Sequence, residues 1–277
     1  MKKIFNFSTA MAALVAVSFA SCSSSSDSDA PDQPSGSLVT VEFRPRLKAT
    51  SKATDTSFEN GDVIAIAKQD MRSENAYSLV YNGTTSRFDY IDDSRKITKE
   101  LGQELRYIAF YPDLDNDQCD VQAINEHTMD FMGGYTDMLF AVEETASATV
   151  VLNFTHILSK LDITIENAPS PVSKVELLNL KPKYRVDIDG DTFATGTALA
   201  AVTMRRNTTD DTYYYYVAPM NFMSTTETIG RITLANGSEV EFFAPETGYF
   251  DPGKAYTWKV DLSDAEPEFT GTIVDWQ

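Results

Sequence analysis

Along most of the chain, apolar and polar residues alternate with a period of two. Val39, Val41, Phe43, Leu47 and Ala49 share one parity, broken only by Pro45. Thr40, Glu42, Arg44, Arg46 and Lys48 take the other. This is the pattern of a half-buried strand. Proline has no N–H to give a neighbour, so the strand is expected at a sheet edge or kinked. The stretch YSLVYNGTTSRFDY predicts a hairpin turning at Asn82-Gly83. LRYIAFYP, from Leu105 to Pro112, is almost continuously apolar, which predicts a strand covered on both faces. In ATVVLNFTHILSKLDITIEN, the residues Val150, Leu152, Phe154 and His156 lie on one face, whereas Leu161, Ile163 and Ile165 have the other parity. A bulge or sharp bend between Ile157 and Lys160 follows.

The second half continues in the same way. KVELLNL is one strand, YRVDIDGDTF turns at Asp189-Gly190, and YYYYVAPMNF is stopped by Pro219. RITLANGSEVEFF is a hairpin around Asn236-Gly237, and KAYTWKVDL sets Tyr256, Trp258, Val260 and Leu262 on one face. Helical periodicity is nearly absent beyond a turn near Ile97 to Leu105. Many short strands punctuated by turn residues predict an all-β chain of two β-sandwiches. The expected division is residues 38–146 and 147–277, with the boundary in Glu143 to Ser147.

The first 37 residues do not fit this scheme. Lys2 and Lys3 precede an apolar stretch from Met11 to Ala20 that is too short to span a bilayer. SFASC follows, with Ala20 and Ser21 before Cys22, and it resembles a bacterial lipobox. Residues 1–21 are therefore expected to be a signal peptide cut between Ser21 and Cys22, with Cys22 lipidated and the outer membrane reached through that anchor. More than one acyl chain is needed for stable attachment. Ser23 to Ser37, SSSSDSDAPDQPSGS, has almost nothing to pack, so residues 22–37 read as a flexible tether. A net charge of −18 argues against nucleic acid as a partner. With Cys22 lipidated, Cys119 has no partner for an internal disulfide.

Candidate chemistry is sparse. Asp113, Asp115 and Asp117 alternate in the loop DLDNDQCD, a weak calcium candidate. It departs from the EF-hand pattern at Gln118 and Ile124, and a solvated acidic loop is the simpler reading. DIDGD at Asp187 to Asp191 reads first as a turn. His156, on an apolar face, reads as a hydrogen-bonded core histidine. No nucleophile elbow, P-loop or dinucleotide motif occurs, so neither an enzyme nor a cofactor is expected. Alternation would turn two of Tyr213 to Tyr216 outward, where they could stack on sugar rings. Replacing Tyr213 and Tyr215 is the test that reading suggests.

In order along the chain, SFASC, SKATDTSFENGDVIAI, LRYIAFYP, DMLFA, VVLNFTHILSKLDITI, YYVAPMNF and GKAYTWKVDLSDAEPEFTGTIVDW resemble the fimbrillin family of Bacteroidetes, the FimA/Mfa-like type V pilins and their relatives. The resemblance implies two transthyretin-like β-sandwich domains in tandem and a structural, adhesive role in a cell-surface fimbria. It implies export to the outer membrane as a lipoprotein. It also implies removal of the first strand by an extracellular trypsin-like protease, and replacement of that strand by one from another pilin subunit. Host or bacterial surface receptors are the further partners it suggests. Arg44 precedes Pro45 and is a poor site for such a protease, so Arg46-Leu47 is the expected cut, with Lys48 and Lys52 behind it. The displaced strand would carry Val39, Val41 and Phe43. FTGTIVDWQ, with Phe269, Ile273 and Trp276, is a candidate donor strand and equally an ordinary final strand. The competing expectation is an uncleaved surface lipoprotein that binds glycans.

Overall fold

The computed structural model describes residues 37–47, 58–69, 76–113, 122–125, 127–132, 134, 136–195, 199–222, 228–245, 248–263 and 267–275. The signal-peptide and lipidation positions, including Ser21 and Cys22, and the tether up to residue 36 lie outside these residues. So do Lys48, Lys52, Asp115, Asp117, Cys119 and Trp276.

The described secondary structure is all β. Ahead of His156 come β1 (Leu38–Thr40), β2 (Glu42–Leu47), β3 (Val63–Lys68), β4 (Ala76–Asn82), β5 (Arg87–Tyr90), β6 (Thr98–Glu100), β7 (Leu105–Tyr111), β8 (Gln122–Asn125), β9 (Thr128–Met132), β10 (Leu139–Thr145) and β11 (Thr149–His156). After it come β12 (Ser159–Glu166), β13 (Val172–Leu180), β14 (Lys183–Asp187), β15 (Thr192–Thr195), β16 (Ala200–Thr203), β17 (Arg205–Asn207), β18 (Thr212–Val217), β19 (Asn221–Phe222), β20 (Thr228–Leu234), β21 (Glu239–Phe243), β22 (Gly248–Tyr249), β23 (Lys254–Asp261) and β24 (Glu268–Asp275).

Seven of the earlier strands close into a barrel in the order β10-β11-β2-β5-β4-β3-β7. Its interior is packed with Val41, Phe43, Ile64, Ile66, Leu79, Phe88, Tyr107, Val150, Leu152 and Phe154. The continuous apolar run of β7 is explained by its position. Leu105, Tyr107 and Ala109 point into the barrel. Ile108 and Phe110 point outward into a second cluster, where they meet Met129, Phe131, Phe140, Tyr184 and Val186.

The later strands form a five-stranded sheet, β17-β18-β12-β23-β24, and a four-stranded sheet, β16-β13-β20-β21. The two sheets share one core, which includes Leu161, Ile163, Tyr213, Tyr215, Tyr256 and Trp258 from the first and Val175, Leu177, Ile232 and Phe242 from the second. This is the sandwich arrangement that alternation predicts.

The parity change at Ile157 and Leu158 marks the place where the chain leaves the barrel. Both side chains are buried, and the Ile157 amide donates to the Met138 carbonyl. This crossing lies one strand later than residue 146, because β11 pairs with β10 and with β2 inside the barrel. A further sheet, β15-β14-β9-β8, joins strands from both halves, with Asp130 of β9 opposite Arg185 of β14. Period-two patterning tells which face of a strand is buried, not which strand lies beside it, so this stitching is invisible in the sequence.

Candidate functional site

The first strand is the element on which the sequence argument turns. Its parity is as expected. Val41 and Phe43 are fully buried, Leu47 is half-buried, and Arg44 and Arg46 are exposed. Val39 is only half-buried, because β1 peels away from the barrel and pairs with β6, Val39 opposite Lys99. The Lys99 ammonium is almost wholly buried and donates to the Thr145 carbonyl at 3.2 Å. Burial pulls its pKa below the usual lysine range, partly offset by Glu104.

The edge position inferred from Pro45 is not what the structure has. β2 lies inside the closed barrel, parallel to β11 from Glu42 opposite Thr149 to Leu47 opposite Phe154. On its other side it meets β5 only at Phe43 opposite Phe88. Strand amides point alternately to the two neighbours. The Glu42 N–H donates to the Ala148 carbonyl at 2.8 Å, and the Val41 N–H donates the opposite way to the Ile97 carbonyl at 3.0 Å. Pro45 shares the parity of Val41, so its missing donor falls on the sparsely paired side. An interior strand thus tolerates proline.

Aromatic residues pack β2 from inside. Phe43 stands edge-on to Tyr107, with ring centroids 5.3 Å apart, and to Tyr90 at 6.4 Å. The Tyr90 hydroxyl donates to the Val41 carbonyl at 2.8 Å. Burial pushes its pKa far above the ordinary tyrosine range. The Tyr107 hydroxyl is also raised by burial and has no hydrogen-bond partner among the described residues. Nothing in RFDY or LRYIAFYP signals these contacts, because they join segments far apart in the chain.

The expected cut, Arg46-Leu47, lies within the β2–β11 ladder, with Arg46 opposite Asn153. Arg46 borders a cleft of about 680 Å³ whose walls include Glu143, Asn153, Asp189 and Asp191. Glu143 accepts hydrogen bonds from the Asn153 side chain and main chain.

The last strand is built differently. β24 pairs antiparallel with β23 from Glu268 opposite Asp261 to Asp275 opposite Lys254, and it forms one edge of its sheet. Phe269 is half-buried against Phe243, with centroids 6.0 Å apart, whereas Ile273 is 45% exposed and Val274 56% exposed. Lys254 and Asp275 form an ion pair at its end.

The tyrosine run alternates in the opposite sense from the test suggested above. Tyr213 and Tyr215 are buried in the sandwich core, and Tyr214 and Tyr216 lie half-buried on the other face with their rings at 73°, Tyr216 packed against the cluster of Phe110, Phe131 and Phe140. The parity of β18 follows from its pairing with β12, where Tyr213 lies opposite the buried Ile163 and Tyr215 opposite the buried Leu161. Tyr216 is held close, its amide donating to the Gly134 carbonyl at 3.0 Å. Asp113 is half-buried, and its N–H donates to the Val63 carbonyl at 3.0 Å. The Asp187 carboxylate accepts from the amides of Asp189 and Asp191, each at 3.0 Å, so DIDGD is a side-chain-closed turn. His156 meets Asp137 at 2.9 Å. Among the described residues, no group of three or more His, Cys, Asp or Glu side chains could hold a metal ion.

Comparison with known proteins adds to this geometry. The model of the Fimbrillin-like family matches residues 51–276. No curated protein sequence matches the chain. Among solved structures, a proposed cell adhesion protein from Bacteroides uniformis superposes with a TM-score of 0.66 at 18% identity, covering 88% of this chain and 100% of its own. One from Bacteroides ovatus gives 0.64 at 16% identity, covering 87% and 99%. One from Bacteroides thetaiotaomicron gives 0.53 at 21% identity, covering 81% and 94%. At these identities the structural likenesses bear on the fold alone.

Proposed function

The chain belongs to the fimbrillin-like family, and from that premise we propose that it is a subunit of a cell-surface fimbria that polymerises by exchange of its first strand. The subunit is exported as a lipoprotein through Cys22 and remains on the outer membrane until a trypsin-like protease cuts at Arg46-Leu47. Loss of the segment ending at Arg46 takes Val41 and Phe43 out of the barrel and leaves an apolar slot between β11 and β5. At about 1.5–3 kcal/mol for each fully buried large side chain, that slot favours a new occupant. Another subunit supplies it as an extended strand, whose main chain completes the β11 ladder and whose alternate side chains fill the core.

The observation that carries this reading is the position of β2. With Val41 just ahead of it, it gives the barrel two fully buried side chains, yet on one of its two sides the ladder is a single pair, helped by the Tyr90 hydroxyl and the Ile97 carbonyl on Val41. A strand meant to stay would be expected to pair fully on both sides. Protease access is the step that needs most, because the Arg46-Leu47 bond lies inside a ladder and must peel away before it can enter an active site.

Mass spectrometry of fimbriae sheared from cells tests the proposal. The expected N-terminal residue of assembled subunits is Leu47, and Arg46→Ala should leave the lipidated form on the membrane. Assembled material that starts uniformly at a lipidated Cys22 would overturn cleavage-driven exchange.

A further inference from the structure

The two sides of β2 differ enough to say where a replacing strand would come in. On the β11 side six consecutive pairs run from Glu42 to Leu47. On the β5 side there is one, Phe43 opposite Phe88, and Pro45 offers no donor for the next position in that direction. Beside this seam lies a cavity of about 400 Å³, bordered by Glu42, Arg87, Phe88, Asp89, Tyr90 and Lys96. The charged contact across it is Arg87 with Glu42 at 3.5 Å, while Arg87 also meets Asp89 on its own strand at 2.9 Å. Such solvated pairs are easily exchanged.

We propose that the β2–β5 seam is the port through which a strand of a second subunit enters. Once the Arg46-Leu47 bond is cut, the incoming strand pairs first with the seam-facing edge of β5, and only afterwards displaces the severed segment of β2 from β11. A new strand needs main-chain N–H and C=O groups that are not already engaged. On β11 every position facing β2 is taken, whereas on β5 one pair has to open. The occupant is an extended segment with apolar side chains at the registers of Val41 and Phe43, and with any residue other than proline at the register of Pro45. It can then donate where the resident strand cannot. The inference rests on the strand-exchange reading above and adds its direction.

Two cross-links separate the alternatives in the full chain carrying Cys119→Ser. Arg44→Cys with Arg87→Cys staples β2 to β5, because the register through Phe43 and Phe88 sets those positions opposite each other. Arg44→Cys with Val151→Cys staples β2 to β11. The probe is a fluorescent peptide of residues 38–47 carrying Pro45→Val, and uptake is read by anisotropy. The β5 staple is expected to lower the initial rate of uptake at least about tenfold, the worth of one or two ladder hydrogen bonds, while the β11 staple leaves that first phase within about twofold and blocks only the later displacement. Equal loss of the initial rate with both staples, or greater loss with the β11 staple, would overturn the port and leave strand exchange standing. No uptake by the unstapled chain, before or after cutting at Arg46, would sink strand exchange itself. Hydrogen exchange in the unmodified chain is an independent check. The amide of Phe43, which faces β5, should exchange faster than those of Glu42, Arg44 and Arg46, which face β11, whereas that of Val41 is bonded to the Ile97 carbonyl and is no measure of the seam. Uniform protection along β2 counts against the port even if a staple fails to form.

Discussion

The first strand and the last make opposite bargains. β2 is interior to a closed barrel and, with Val41 just ahead of it, supplies two fully buried side chains, but its full ladder is parallel and its other side has one ladder pair. β24 sits at the edge of an open sheet and leaves Ile273 and Val274 exposed, but it is held by an antiparallel ladder along its whole length. Parallel pairing is slightly weaker per residue. The strand at the centre is thus held mainly by its side chains, and the strand at the edge mainly by its main chain. Loss of a side chain should therefore be felt at β2, and loss of close main-chain approach at β24.

The largest effect expected from this contrast is at Phe43. Phe43→Ala should lower unfolding free energy by about 3–5 kcal/mol, because it leaves a void beside Tyr90 and Tyr107 that the barrel cannot close. Ile273→Ala, at an exposed site, should stay within about 0.5 kcal/mol. Urea titration of both variants compares them directly. Similar losses would abolish the distinction.

Next comes Gly271 in β24. A Cβ there would stand 2.6 Å from Pro245 Cγ and 2.8 Å from Trp258 Cδ1. Gly271→Ala must push β24 off its neighbours, at a cost of about 1–3 kcal/mol. Hydrogen exchange should show the loss concentrated in β24. An unchanged β24 would mean that Pro245 and Trp258 give way freely.

Much of this was legible in the sequence, for reasons particular residues make plain. Alternation identified Val41 and Phe43 as core and Arg44 and Arg46 as surface, and the change of parity after Phe154 located the turn out of the barrel. Asn82-Gly83 and Asn236-Gly237 marked real hairpins. Lateral neighbours were not legible. Pro45 excludes one hydrogen bond on one side, and sequence alone cannot tell a free edge from an interior strand whose facing partner stops short. The parallel pairing of β2 with β11 joins segments about a hundred residues apart, and no local pattern encodes it. For the tyrosine run, four aromatic residues in succession leave the buried parity undetermined. Only pairing with Leu161 and Ile163 fixes it.

The two strands should also fail at opposite ends of the pH scale. Around β2, burial raises Tyr90 and Tyr107, and elsewhere in the same barrel burial with Asp62 nearby pushes Tyr111 up to about 12. The unfolded chain releases these protons near pH 10 and the folded one does not. Their stabilisation is complete below pH 10 and is lost as pH rises towards the folded values, by up to about 1.4 kcal/mol per pH unit for each group. At the start of β24, Asp261 lies opposite Glu268, and its carboxylate is held below the usual range by hydrogen bonds from Asn167 and Ser263. That contribution is present above about pH 4 and is lost as pH falls through the lowered value. Residue-resolved exchange at pH 10.5 should open β2 first, and as pH falls below the usual carboxylate range towards about 2 the Asp261–Glu268 end of β24. Opening of both strands together at either extreme would show that they unfold as one unit.

The smallest effect is the most specific to β2. The Tyr107 ring stands edge-on to Phe43, and its hydroxyl is buried with no partner among the described residues, so its loss removes an unsatisfied group rather than a bond. Tyr107→Phe should therefore leave stability at neutral pH unchanged or raise it by up to about 1 kcal/mol, against the usual direction of core substitutions. It should also flatten the alkaline limb, since one raised hydroxyl no longer titrates. Calorimetry at pH 7 and pH 10.5 reads both. A loss of more than about 1 kcal/mol at pH 7 would mean that the hydroxyl is satisfied in solution, since a hydrogen bond removed from a buried site costs about that much. In that case β2 packs against a completed core, and its weakness is confined to the seam with β5.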